Sequence, residues 1–187
     1  MLYIEISSLR FLEIGDNFFT VFPDSLAKSL VTVEIHNNLF KGPFPKKFTR
    51  NNKALTYFGI RQNSFTGPLP DFSGLPLLNV YLVNRNSFSG TIPDVYPGFE
   101  PKALFYVDLS NNFLTGTLPN CLWNLPALSV FTVSHNFLFG SIPENVELKY
   151  LQVFNVASNM LSGHFPKWLA DCFPLYLLQI QVNIYLL

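Results

Sequence analysis

The sequence predicts an α/β solenoid. It is expected to be a right-handed superhelix with a parallel β-sheet on its concave face and short 3-10 or irregular helical segments on its convex face. Three observations predict it. A motif of 16 residues recurs along the chain, apolar residues stand two apart within it, and an asparagine holds the same place in every copy.

The copies set the element order. LRFLEIGDNFFTVFP (Leu9–Pro23, one residue short) is followed by LVTVEIHNNLFKGPFP (Leu30–Pro45), LTYFGIRQNSFTGPLP (Leu55–Pro70) and LNVYLVNRNSFSGTIP (Leu78–Pro93). Then come LFYVDLSNNFLTGTLP (Leu104–Pro119), LSVFTVSHNFLFGSIP (Leu128–Pro143) and LQVFNVASNMLSGHFP (Leu151–Pro166), with an incomplete copy from Leu175. Asn17, Asn38, Asn63, Asn86, Asn112, Asn136, Asn159 and Asn183 fix the register at spacings of 21 to 26 residues. Residues 1–187 therefore read as one domain of about seven repeats and a truncated eighth, uncapped at both ends.

Composition narrows the function classes. Twelve Lys+Arg balance twelve Asp+Glu, so no net charge recruits nucleic acid or an anionic membrane. A chain 49% hydrophobic and 13% charged is not intrinsically disordered, and two cysteines make neither a disulfide scaffold nor a zinc ribbon. Glu5, Arg10 and Glu13 interrupt any signal-peptide apolar stretch. The charge-free run Cys172–Leu187, 16 residues with Gln179, Gln181 and Asn183, is too short for a membrane helix. The segment is expected to make no membrane contact of its own.

Within L-x-x-L-x-L-x-x-N, apolar residues two apart suit a short strand with one buried face. The asparagine falls where the strand turns away; its amide donates and accepts, so stacked asparagines can form a ladder that pairs buried turn groups. The glycines from Gly42 to Gly163 serve backbone angles a side chain would obstruct, and each closing proline forces a turn. Phe58, Phe65, Phe88, Phe113, Phe131, Phe137, Phe154 and Phe165 are expected in the core.

The second halves TGPLP, SGTIP, TGTLP, FGSIP and SGHFP make the chain resemble the plant-type leucine-rich repeat family, and PNCLWNLPAL (Pro119–Leu128) resembles receptor-like proteins in particular. The resemblance extends to receptor-like kinase ectodomains and to secreted inhibitors of pectin-degrading enzymes. It implies a second short strand over G-x-I-P. It also implies a peptide or protein ligand, a co-receptor, and a place on the extracellular side of the plasma membrane. Three features depart from the pattern: neither end carries a cysteine cap, no targeting signal opens the chain, and none of the 18 asparagines stands in N-x-[ST]. Uncapped ends lead to the expectation that the isolated chain associates.

The fold does not need the outward-pointing strand positions, so they are the candidate binding residues. Repeats 1 to 5 place Phe11, Glu13, Glu34, His36, Tyr57, Arg61, Arg85, Tyr106 and Asp108 there, whereas repeats 6 and 7 carry mostly small polar residues. Tyr and Arg are common interface anchors, so a ligand is expected across repeats 2 to 5, with Arg61 and Arg85 meeting carboxylates. The alternatives are a secreted enzyme inhibitor and a truncated receptor remnant without a ligand.

No catalytic or metal centre is expected. His36, His135 and His164 fall in different repeats without a cysteine or carboxylate at ligand spacing, and adjacent Ser134 and His135 should diverge. The run Lys41, Lys46, Lys47, Arg50 and Lys53 reads as a solvated convex surface. Cys121 is expected near the surface and Cys172 buried, too far apart in the array to pair. No cofactor is expected.

Overall fold

The computed structural model describes residues 8–23, 26–94, 102–181 and 183–185. Its termini and the 95–101 segment, including the initial YIEIS and the last two leucines, lie outside the described residues. Among those described, the first repeat contributes one short strand and each later repeat two, and the strands assort into two parallel sheets.

The first sheet has eight strands: β1 (Phe11–Glu13), β2 (Thr32–Glu34), β4 (Tyr57–Gly59), β6 (Val80–Leu82), β8 (Tyr106–Asp108), β10 (Val130–Thr132), β12 (Val153–Asn155) and β14 (Leu177–Gln179). Its register is one-to-one, so Val33, Phe58, Tyr81, Val107, Phe131 and Phe154 stack in one inward column, each no more than 4% exposed. Because side chains alternate across a strand, the residues on either side of this column point outward. The sequence columns of candidate binding residues thus become rows on one face.

The second sheet joins β3 (Lys41–Pro43), β5 (Ser64–Gly67), β7 (Ser87–Thr91), β9 (Phe113–Gly116), β11 (Phe137–Gly140), β13 (Met160–Gly163) and β15 (Ile184–Tyr185). From β3 to β13 these strands end at the repeat glycine or one residue beyond it. The expected strand over G-x-I-P therefore lies further toward the N-terminus in each repeat. The glycine itself ends the extension: Gly116 has φ +83, and a Cβ there would stand 2.8 Å from Thr91 Cγ2. On the convex side lie α1 (Lys46–Asn51), a 3-10 turn (Asn120–Asn124) and α2 (Trp168–Asp171).

The asparagine ladder runs as the sequence predicts. Asn112 Nδ2 donates to Val83 O of the preceding repeat (3.1 Å) and to Leu109 O of its own (3.1 Å), while Phe88 N–H donates to its Oδ1 (3.0 Å). Asn38, Asn63, Asn86, Asn136, Asn159 and Asn183 repeat this bridge between neighbouring turns. Asn17 differs: it is exposed and donates only to carbonyls of its own turn, Ile14 O and Gly15 O. The residue before each described ladder asparagine from Asn17 to Asn159 is left-handed: Asp16, Asn37, Gln62, Arg85, Asn111, His135 and Ser158 have φ between 50 and 56.

Repeats 1 to 4 are filled by aromatic rings. Phe65, 1% exposed, packs against Phe40 (centroids 5.9 Å), Phe88 (6.1 Å), Phe44 (5.4 Å) and Phe22 (6.3 Å). Three phenylalanines expected in the core are not there: Phe113, Phe137 and Phe165 are about half exposed. Phe113 and Phe137 follow the ladder asparagine, where strand alternation turns them outward, and they stack on each other at 6.3 Å. Phe165 takes the column of Phe44, Leu69, Ile92, Leu118 and Ile142 but is not covered. Cys121 is also corrected. It is 5% exposed, because the 3-10 turn folds inward with Cys121 N–H donating to Asp94 Oδ1 (3.0 Å). Cys172 is half-buried against the core, and the two do not pair.

Candidate functional site

The outward rows of β1, β2, β4, β6 and β8 and the turns after them carry all nine candidate residues. They do not form one cluster. Glu34, His36, Tyr57 and Arg61 come together, joined by Asp16, which the sequence reading had not selected.

Glu34 is the hub of this group, with its side chain only 16% exposed. Arg61 Nη1 lies 3.0 Å from its Oε2 and 3.2 Å from its Oε1, the Tyr57 hydroxyl donates to Oε2, and His36 Nδ1 sits 2.6 Å from Oε1. His36 Nε2 reaches Asp16 Oδ2 at 3.2 Å, and Asn37 Nδ2 donates to Asp16 Oδ1 at 2.8 Å. A hydrogen-bonded chain thus crosses three repeats. Burial opposes the charge on Arg61, but the Glu34 carboxylate and the Tyr57 hydroxyl together raise the guanidinium pKa. Burial and then Glu34 push the Tyr57 phenol upward. The Asn37 amide holds the Asp16 carboxyl below its usual range.

Two glycines make room for this chain. A Cβ at Gly15 would lie 2.4 Å from the His36 ring, and one at Gly59 would lie 2.6 Å from Glu34 Oε2 and 2.8 Å from Tyr57 Cε1. Neither has a positive φ, so alanine suits the backbone and its effect falls on the neighbours. Gly59→Ala is expected to push Glu34 off Tyr57 and Arg61 and to cost about 1–3 kcal/mol through crowding. A crystal structure of the variant with the Glu34–Arg61 contact intact would contradict this.

Arg85, Tyr106 and Asp108 form the second group, on repeats 4 and 5. Arg85 stands on a left-handed turn, exposed, and its side chain makes no hydrogen bond or ion pair to the described residues. Asp108 is half-buried; its Oδ1 accepts from Ser110 N–H (3.0 Å) and Ser110 Oγ–H (2.6 Å). Burial raises the Asp108 carboxyl pKa above 3.8, although Ser110 and then Arg85 pull it back. Burial and the nearby Asp108 raise the Tyr106 phenol. Phe11 (58% exposed) and Glu13 stand apart from both groups.

The raised pKa has a signed consequence. The neutral carboxyl is favoured by folding, so that stabilisation is complete below the unfolded value and is lost as pH rises through the higher folded one. At neutral pH the fold carries the Asp108 charge at a cost. Asp108→Asn is expected to unfold at a higher denaturant concentration than the parent at pH 7, and the gap should narrow as pH falls toward about 4 and be closed below it. An unchanged gap across that range would remove burial as the cause.

Arg61, expected to meet a carboxylate of the ligand, meets instead one from within the chain, Glu34. Gly15, Gly59 and Ser110 were also missed. The signal for the glycines was present: each stands in an outward column beside a bulky His36 or Glu34. The expectation that His36 has no nearby carboxylate fails, since folding brings Glu34 and Asp16 to both ring nitrogens. No group of three or more His, Cys, Asp or Glu among the described residues is arranged to hold a metal ion. Ser134 is buried and His135 exposed, so they diverge.

A two-sheet solenoid with an asparagine ladder defines the leucine-rich repeat class, and residues 103–125 match the Leucine Rich Repeat family model. The chain is a leucine-rich repeat protein of the plant type, similar to receptor-like proteins and receptor kinase ectodomains. Receptor-like protein 35 of Arabidopsis thaliana is 31% identical over 141 residues, covering 71% of this chain and 14% of that protein. The Arabidopsis receptor kinase HAESA, solved with the peptide hormone IDA and the co-receptor SERK1, superposes with a TM-score of 0.87 at 28% identity. That match covers 95% of this chain and 30% of HAESA. The plant peptide hormone receptor RGFR1, solved with RGF2, gives a TM-score of 0.90 at 27% identity over 96% of this chain and 29% of its own. The chain thus spans less than a third of each of these relatives. Among the described residues, no helix is long and apolar enough to cross a membrane.

Proposed function

We infer that the chain is a ligand-recognition segment of a plant receptor-like ectodomain, binding a peptide or protein across the concave face of repeats 2 to 5. Its setting in this reading is the extracellular side of the plasma membrane, with a co-receptor relaying the signal and no catalysis by the segment itself. One observation carries the reading. The concave sheet holds charges that the fold does not require and, at Asp108, bears at a cost, and they lie on the repeats flanking the unpaired Arg85. Fold-enforced retention of a costly polar group marks a face selected for contact rather than for stability. The relatives solved with bound peptide hormones support the same reading.

The division of the face refines the anchor assignment. Arg61 is held by Glu34, so Arg85, Tyr106 and Asp108 are the groups open to a ligand, with the Glu34 cluster as a rigid shoulder. Peptides selected from a displayed random library on the chain should bind the Arg85→Ala, Tyr106→Ala double variant at least tenfold more weakly. The Arg61→Ala, Arg85→Ala pair should lose little more than Arg85→Ala alone, since Glu34 holds Arg61 away from the ligand. Selected peptides indifferent to every concave variant would end the proposal.

A further inference from the structure

The outer side of repeats 2 and 3 holds a cleft of about 180 Å³ between α1 and the Pro68–Asp71 segment. Its floor is apolar and fixed, made by Phe44, Leu69 and Pro70, all buried. Lys46 and Arg50 stand on its rim. They are exposed and four residues apart on α1, so they share one helix face. Asp71 lines the cleft with them; its Oδ1 accepts the Ser73 N–H (2.9 Å), and its Oδ2 has no hydrogen-bond partner among the described residues.

The charge around the cleft is one-sided. Between His36 and Pro70 the sequence has no Asp or Glu, and Lys41, Lys47 and Lys53 extend the positive surface beyond the rim. None of these cations forms an ion pair among the described residues; Lys53 donates to Gly74 O (2.7 Å). The solvated surface read from the sequence thus borders a built concavity.

We propose that this cleft is a second ligand site, for a carboxylated sugar unit within a linear acidic polysaccharide. Its parts match that chemistry. The apolar floor accepts the C–H face of a pyranose ring, and Lys46 and Arg50 meet the carboxylate. Asp71 accepts from ring hydroxyls. Two cations and one carboxylate leave a single positive charge for a single negative one. Other polyanions fit less well. The apolar side of α1 is spent in the core, where Phe48 is 2% exposed, so the helix has nothing to insert into a membrane. The cleft has no exposed aromatic ring on which a nucleic-acid base could stack. The site is separate from the concave face and does not depend on it.

Calorimetric titration of the 187-residue chain with oligogalacturonate, and with the same oligomer as its methyl ester, tests the proposal. The acid form should bind and the ester should bind at least tenfold more weakly. Lys46→Ala, Arg50→Ala should weaken the acid form at least tenfold, while Lys47→Ala, Lys53→Ala, outside the cleft, should cost less than threefold. Arg85→Ala should change nothing. All these side chains are exposed, and circular dichroism of each variant verifies its fold. Equal binding of the ester, indifference to the cleft pair, an equal loss from the outer pair, or equally tight binding of duplex DNA would each overturn the assignment.

Discussion

Asn112→Ala is expected to destabilise the chain by about 2–4 kcal/mol, because it strands one buried N–H, at about 1–3 kcal/mol, and removes hydrogen bonds to two buried carbonyls. Asn112 is 5% exposed, so its partners are shielded from bulk water. Its loss leaves the Phe88 N–H without an acceptor and takes one of two side-chain donors from each of the carbonyls of Val83 and Leu109, which keep Asn86 and Asn136. Asn112→Asp is no remedy, since a carboxylate would face carbonyl oxygens as a second acceptor. Asn17→Ala is the internal control. That side chain is exposed and serves only its own turn, so its removal should cost less than about 1 kcal/mol. Urea unfolding followed by tryptophan fluorescence reads both. Equal shifts for the two variants would mean that the ladder does not couple neighbouring repeats.

Phe65→Ala is expected to cost about 3–5 kcal/mol, the range for deleting a fully buried ring whose surroundings cannot collapse. Four other rings hold their positions around it, at centroid distances of 5.4 to 6.3 Å. Three of them belong to repeats 1 and 2 and one to repeat 4, so the cavity would open at a junction of turns. Phe113→Ala removes a ring of the same size, stacked on Phe137 but 53% exposed. It should cost about 1 kcal/mol, mainly the aromatic pair. If both variants unfold at the same urea concentration, composition rather than packing governs the aromatic columns.

These contrasts mark where the sequence was legible. The period, the ladder and the inward columns could be read because each is set by a local rule repeated in every turn: alternation across a strand, an amide at a buried corner, a glycine at positive φ. Phe113 and Phe137 were misread because aromatic character was taken for burial, when their place after the asparagine decides the matter. Cys121 was misread because two residues past a proline is a surface position only if the following turn does not fold inward. The Glu34 cluster could not be read at all. Its members stand in four columns and three repeats, and their meeting depends on side-chain reach through space left by Gly15 and Gly59, which no motif encodes. The left-handed column from Asp16 to Ser158 was visible as a polar row, but its composition alone does not distinguish a turn from a strand.

The one-to-one pairing of the concave strands also sets a ruler for whatever lies along them. Neighbouring strands are about 4.8 Å apart, whereas an extended chain advances about 3.3 Å per residue, so a guest running along the solenoid axis and the sheet beneath it are incommensurate. The two scales coincide again after about three guest residues and two turns of the host. Tyr57 and Tyr106 are separated by that interval, on β4 and β8 with β6 between them. An extended guest seated on one tyrosine would therefore present its third residue onward to the other, and the turn between them would fall out of phase. Like a vernier, the face would read its guest at intervals of three.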